Sequence, residues 1–267
     1  MPRETLHARI GDADLAYHVS GDGPPLLLVM GHTGTQDQWP LSFVNSLARE
    51  RRVITYDHRG MGDSSSPAGD WSVEGFANDA AGLLAALGAG QADVLGWSMG
   101  GMVAQELALA HPGSVRRLVL LATSAGGPEA LAPDPSVLDM MHDDSVIGVE
   151  RARRMLSLLV PADWLEAHRA FLMDYPRPRR VASTEDALRQ WKAVASWAGA
   201  WDRLPGLDRP VLIITGDADR VTPAENSVQL AGRIPGSWLI RLAGGGHGVL
   251  YQQPQRLAKI VRVFLED

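Results

Sequence analysis

The chain has 267 residues, of which 45% are apolar and 21% charged, with a net charge of −6 and no cysteine. That length suits one large α/β domain with an insertion, and it is ample for burying a core. The missing cysteine excludes disulfides, thiolate nucleophiles and cysteine metal sites, and the acidic balance gives no sign of a nucleic-acid or membrane-surface partner.

In chain order, residues 6–10 and 14–19 alternate apolar and polar around Gly11-Asp12, which predicts an antiparallel hairpin. Six apolar runs follow at 26–30, 52–56, 92–96, 118–122, 211–215 and 238–242. They are continuous, as parallel strands buried on both faces require. Amphipathic stretches at 73–87, 100–110 and 253–265 predict helices, the second stopped by His111-Pro112. Alternating β and α units predict a mostly parallel, doubly wound α/β sheet.

The alternation breaks between roughly Ser124 and Pro210. This stretch opens with Gly126-Gly127-Pro128, contains helical segments and no convincing strand, and collects methionines and tryptophans. It predicts a helical cap at 125–205, set into a core of 1–124 and 206–267. Met and Trp suit adaptable apolar surfaces, so Met140, Trp164 and Trp197 from the cap, with Trp97, are expected to bind substrate. Any one of them also fits a plain packing role. The arginine runs at 151–154 and 177–180 read as solvated faces.

The chemistry starts at Gly96-Trp97-Ser98-Met99-Gly100-Gly101. A strand precedes it and a helix follows, so the turn at Ser98 is too tight for bulky neighbours and pushes the hydroxyl outward. A serine needs a base. His247, in Gly244-Gly245-Gly246-His247-Gly248 just past the last strand, sits in a loop able to place it freely. The base needs an acid partner. Asp217 and Asp219 both follow strand 211–215; Asp219 lies further into the loop, while Asp217 beside Gly216 suits a turn. Oxyanion donors are expected from the Met99 N–H, at a helix N-terminus, and the His32 N–H, in Gly31-His32-Thr33-Gly34 after the first buried strand.

Over nearly its whole length the sequence resembles the α/β-hydrolase superfamily. The carriers are Gly31–Gly34 as the oxyanion loop (with Met30 where histidine is common), Asp57-His58-Arg59-Gly60-Met61-Gly62-Asp63-Ser64 as a structural turn, and Gly96–Gly101 as the nucleophile elbow. Gly216–Pro223 follows as the acid loop and Gly246-His247-Gly248 as the base loop. The order Ser98, Asp219, His247 is that family's. More loosely, the motifs are similar to those of bacterial esterases and lactonases, including enol-lactone hydrolases and polyketide methyl esterases. The resemblance implies a serine hydrolase acting on a carboxylic ester or lactone of an apolar small molecule, with no metal or cofactor. Carbon–carbon hydrolysis and cofactor-free haloperoxidase chemistry use the same triad and stay open, as does a non-catalytic ligand-binding receptor on this fold. The N-terminus carries no apolar leader, and run 26–30 falls far short of the about 20 residues needed to span a bilayer, so a cytoplasmic enzyme without a membrane partner is expected.

Overall fold

The computed structural model describes residues 4–142 and 148–266. Positions 143–147 of the expected cap, and 1–3 and 267 of the expected core, lie outside the described residues.

The described strands are β1 (Leu6–Ile10), β2 (Ala13–Ser20), β3 (Pro25–Val29), β4 (Arg52–Tyr56), β5 (Ala92–Trp97), β6 (Val115–Leu121), β7 (Val211–Gly216) and β8 (Trp238–Leu242). They form one sheet in the order β1-β2-β4-β3-β5-β6-β7-β8. β2 pairs antiparallel with both β1 and β4, and every later pairing is parallel. The expected hairpin and mostly parallel sheet are both present. After β3 the chain first adds β4 on one side and then returns to add β5 on the other. The direction in which strands are added thus reverses between β3 and β5, and the carboxyl ends of these strands mark the crevice where ligands bind in sheets of this kind.

Period-two side-chain alternation builds a core on each face of the sheet. Leu27, Val29 and Ile213 face one way, against Phe76, Leu83, Val103 and Leu107. Leu26, Leu28, Leu212 and Ile214 face the other, against Phe43, Leu47, Leu257 and Phe264. The first layer uses helices α2 (Val73–Ala86) and α3 (Met99–Ala110); the second uses α1 (Leu41–Leu47). Between β6 and β7 lie α4 (Pro135–His142), α5 (Gly148–Leu159), α6 (Ala162–Ala167), α7 (Phe171–Asp174) and α8 (Thr184–Ala195). α9 (Ala224–Arg233) joins the first layer through Leu230, and α10 (Val249–Gln252) and α11 (Pro254–Glu266) join the second.

One strand departs from expectation. β8 was expected to be buried on both faces, yet Trp238 is 45% exposed and Leu239 and Ile240 are only half-buried. It is the last strand of the sheet, with β7 on one side only, and it lacks the cover the inner strands receive. No described helix is long and apolar enough to cross a membrane.

Candidate active site

β5 ends at Trp97 and α3 begins at Met99, so Ser98 alone makes the turn. It does so at φ 57 and ψ −124, a region that costs an L-residue about 1–3 kcal/mol. The strain is held by neighbours. Ser98 N–H donates to Leu121 O (2.9 Å), while Ser98 O accepts from Gly101 N–H (2.8 Å) and Thr123 Oγ1 (2.7 Å). A side chain at Gly96 would collide with the Gly100 carbonyl, and one at Gly100 with that of Val29. Both glycines are therefore required by close backbone approach.

His247 Nε2 lies 2.9 Å from Ser98 Oγ, and His247 Nδ1 lies 2.9 Å from Asp219 Oδ2. His247 and Asp219 are 3% and 7% exposed, and Ser98 is half-buried. The carboxylate only accepts, so Nδ1 carries the imidazole proton and Nε2 presents its lone pair to the serine. The other oxygen of Asp219 accepts from the N–H groups of Val221 (2.9 Å) and Thr222 (2.8 Å), which fixes the carboxylate plane. Asp217 instead receives the Gly244 N–H (2.7 Å), a turn role.

Three of the glycines around His247 are required by crowding rather than for freedom. A Cβ on Gly245 would lie 2.9 Å from Gly216 Cα, and one on Gly246 would lie 2.6 Å from Leu159 O. Gly248 N–H donates to that same Leu159 carbonyl (2.6 Å). The loop is clamped between β7 and the end of α5. Gly245, Gly246 and Gly248 are needed because nothing larger fits, and Gly244 because its φ is 67. Trp97 adds to the clamp: its indole N–H donates to His247 O (3.0 Å) and its ring lies 5.3 Å from the imidazole.

The loop after β3 runs against the serine. A Cβ on Gly31 would be 3.2 Å from Ser98 Cβ. This brings the loop that carries His32 against Ser98, and Met99 is the first residue of α3. First-turn N–H groups have no acceptor within their own helix. Thr33 is left-handed (φ 55) and its N–H donates to Gln190 Oε1 of α8 (2.6 Å). The His32 ring turns to the same helix, with Nε2 3.2 Å from Ala187 O and Trp191 edge-on at 5.9 Å.

Past this loop, Gln36 reaches Asp57, which accepts from Gln36 N–H (2.7 Å), Gln36 Nε2 (3.2 Å) and Asp63 N–H (3.0 Å). Burial pushes its carboxyl up to about 6, although these hydrogen bonds pull the other way. His58 Nε2 lies 3.1 Å from Met30 O, and burial pushes this imidazole down to about 4. The imidazole is therefore neutral near pH 7, with Nε2 protonated toward the carbonyl.

The four tryptophan and methionine candidates are dispersed. Trp97 backs the base as described. Met140 is half-buried on α4, and Trp164 on α6 stacks on His168 at 4.2 Å. Trp197 is 6% exposed in the core, with its indole N–H donating to Glu106 Oε1 (2.7 Å). Residues not anticipated from the sequence join the helical segment to the site. Phe171, Tyr175 and Tyr251 form a chain of ring contacts that links Trp164 to Trp97, and the Tyr175 and Tyr251 hydroxyls share a hydrogen bond (3.3 Å). A cleft of about 520 Å³ lined by Val160, Pro161, Leu165 and Arg220 lies alongside the acid loop; a larger one of about 810 Å³, by Arg117 and Phe264, borders the start of β7 and lacks these residues.

A model of the alpha/beta hydrolase fold family matches residues 24–254, most of the chain and the elements from β3 through α10. The chain is an α/β hydrolase. The hydrolase is 31% identical over 273 residues to 2-hydroxymuconate semialdehyde hydrolase of Pseudomonas putida, covering 94% of this chain and 90% of that one. Among solved structures it is similar to the enol-lactonase of Burkholderia xenovorans (25% identity, TM-score 0.84, 98% of this chain and 100% of that one). It is also similar to a thermophilic esterase of Thermogutta terrifontis (27% identity, TM-score 0.82, 98% of each chain).

Proposed function

We propose that the hydrolase cleaves a carboxylic ester or lactone of an apolar small molecule through an acyl-enzyme on Ser98. The observation that carries this reading is the unbroken line Asp219–His247–Ser98, with 2.9 Å at both joints. His247 Nε2 takes the hydroxyl proton as Ser98 Oγ bonds to the carbonyl carbon. The carbonyl oxygen becomes an oxyanion held by the Met99 and His32 N–H groups. As the tetrahedral carbon collapses, the bond to the leaving oxygen breaks and His247 returns the proton to it. Water then gives a proton to His247 as its oxygen bonds to the acyl carbon; on collapse the bond to Ser98 Oγ breaks and His247 returns the proton to Oγ, releasing the acid and free Ser98. Asp219 stays ionised and stabilises the imidazolium at each step.

The helical segment between β6 and β7 acts as the cap in this reading, and its aromatic chain from Trp164 to Tyr251 supplies apolar surface for the substrate. Met140, Trp164, Trp97 and Trp197 remain its candidate contacts. A second reading, hydrolysis of a carbon–carbon bond beside a ketone, is favoured by the relative from Pseudomonas putida named above. The test is turnover of short-chain aryl esters, an enol lactone and a vinylogous diketone by wild type and Ser98→Ala. Ester or lactone cleavage that drops about 10⁶-fold in kcat in the variant supports the proposal. Turnover of the diketone alone supports the second reading, and ester cleavage unchanged in the variant overturns both.

A further inference from the structure

Trp97 is the last residue of β5 and the one before the nucleophile, and it is 6% exposed. Its indole N–H is spent on the His247 carbonyl (3.0 Å). Its ring meets the imidazole of His247 at 5.3 Å, tilted by 38°, and the phenol of Tyr251 edge-on at 5.8 Å. It lines neither of the two clefts described above. A side chain so enclosed offers a substrate little surface and no free donor. The base loop takes its other anchors from elsewhere. Gly246 N–H donates to Gln252 Oε1 of α10 (2.7 Å), and Gly248 N–H to Leu159 O of α5 (2.6 Å). These hold the residues on either side of His247, and the bond to the His247 carbonyl comes from Trp97. One side chain thus ties the base to the strand end that carries the nucleophile, 149 positions away.

We infer that Trp97 is a positioning residue for the proposed acyl transfer, holding the His247 imidazole at the Ser98 hydroxyl and stabilising the imidazolium that forms there. The inference rests on the serine-hydrolase reading above. The hydrogen bond to the His247 carbonyl sets where Nε2 stands before the proton moves, and about 1 Å of misplacement costs about 10²-fold in rate. Once the proton arrives, the π-electrons of an indole at this distance attract the cation, an effect worth about two- to fivefold. His247 serves acylation and deacylation alike, so disturbing it slows both steps together. The loss therefore falls on kcat and leaves KM, which removal of a substrate contact would raise.

The test compares wild type, Trp97→Phe and Trp97→Leu in cleavage of para-nitrophenyl butanoate and in the rate at which a small fluorophosphonate labels Ser98. The label also counts active sites, so that kcat is read per competent serine. Trp97→Phe keeps an aromatic ring and removes the N–H; Trp97→Leu removes both. The expected result is a kcat lower by about two- to tenfold in Trp97→Phe and by about two- to fivefold more in Trp97→Leu. KM stays within about twofold of wild type in each, and the labelling rate falls in step with kcat. Should neither variant fold, replacing the indole by its sulfur isostere benzothiophene removes the N–H alone and decides, with the same two- to tenfold fall expected. A kcat per labelled serine equal to wild type overturns the inference and leaves Trp97 a packing residue. A KM that rises as much as kcat falls, or rises alone, overturns it too and puts the ring on the substrate. If wild type takes the label and spares the ester, the labelling rate decides in place of kcat. Wild type that takes no label and cleaves no ester overturns the underlying serine-hydrolase reading instead.

Discussion

Asp57 and His58 are chain neighbours buried against the segment that follows β3, through Gln36 and Met30, and they make opposite demands on pH. His58 falls from its ordinary 6.5 to about 4 because burial disfavours its cation. Between those values the unfolded chain holds a proton there that the folded chain lacks. Stability is then lost as pH falls, and at about 1.4 kcal/mol per pH unit the full loss is about 3 kcal/mol. Asp57 rises from 3.8 to about 6, so between those values the folded chain holds the extra proton. Stability from this group is lost as pH rises, again by about 3 kcal/mol. The pair nearly cancels in wild type. Single variants break the balance in opposite directions. Relative to wild type, His58→Gln gains about 3 kcal/mol on going from pH 7 to pH 4, and Asp57→Asn gains about 3 kcal/mol on going from pH 4 to pH 7. Urea unfolding at fixed ionic strength across this range reads both differences. A difference from wild type that is flat with pH for either variant, or of the same sign in both, refutes the reasoning.

Two further substitutions probe the site. In Asp219→Asn the amide oxygen stays with the Val221 and Thr222 N–H groups, so its NH₂ faces His247 Nδ1. The imidazole then takes the tautomer that points Nε2–H at Ser98, and kcat should fall by about 10⁴-fold with the unfolding midpoint little changed; retained turnover would show that the tautomer does not matter. Trp197→Phe takes the indole donor from the buried carboxylate of Glu106, leaving it to Arg203. Unfolding free energy should drop by about 1–3 kcal/mol in urea titration, and a raised KM at unchanged stability would instead put this ring on the substrate.

Much of the fold is legible because burial imposes a pattern. Runs such as Val211–Gly216 are apolar at every position because both faces are covered, and the hairpin alternates because β1 has one face in water. The edge status of β8 is not legible, since Trp238-Leu239-Ile240 reads like an inner strand and only the absence of a further neighbour exposes it. Ser98, Asp219 and His247 were each readable from a strand end and its glycines. At His247 the glycines suggest slack, whereas the contacts of Gly246 and Gly248 with Leu159 show crowding, and that partner lies in a different segment of the chain. Gln190 gave no signal at all. A glutamine in an amphipathic helix looks like a solvated face, and its acceptor role appears only when Thr33, 157 positions away, is brought against it.

The contacts of Gly248 with Leu159, of Thr33 with Gln190 and of His32 with Ala187 mean that the helical segment is stitched into both loops flanking the serine. It is therefore a poor interchangeable module. A chimaera that grafts the corresponding segment of a relative onto this sheet inherits side chains shaped for other loops. To stay whole, the graft has to carry the host's Gly31–Gly34 and Gly244–Gly248 partners along with it, so engineering of substrate range here begins at the seams.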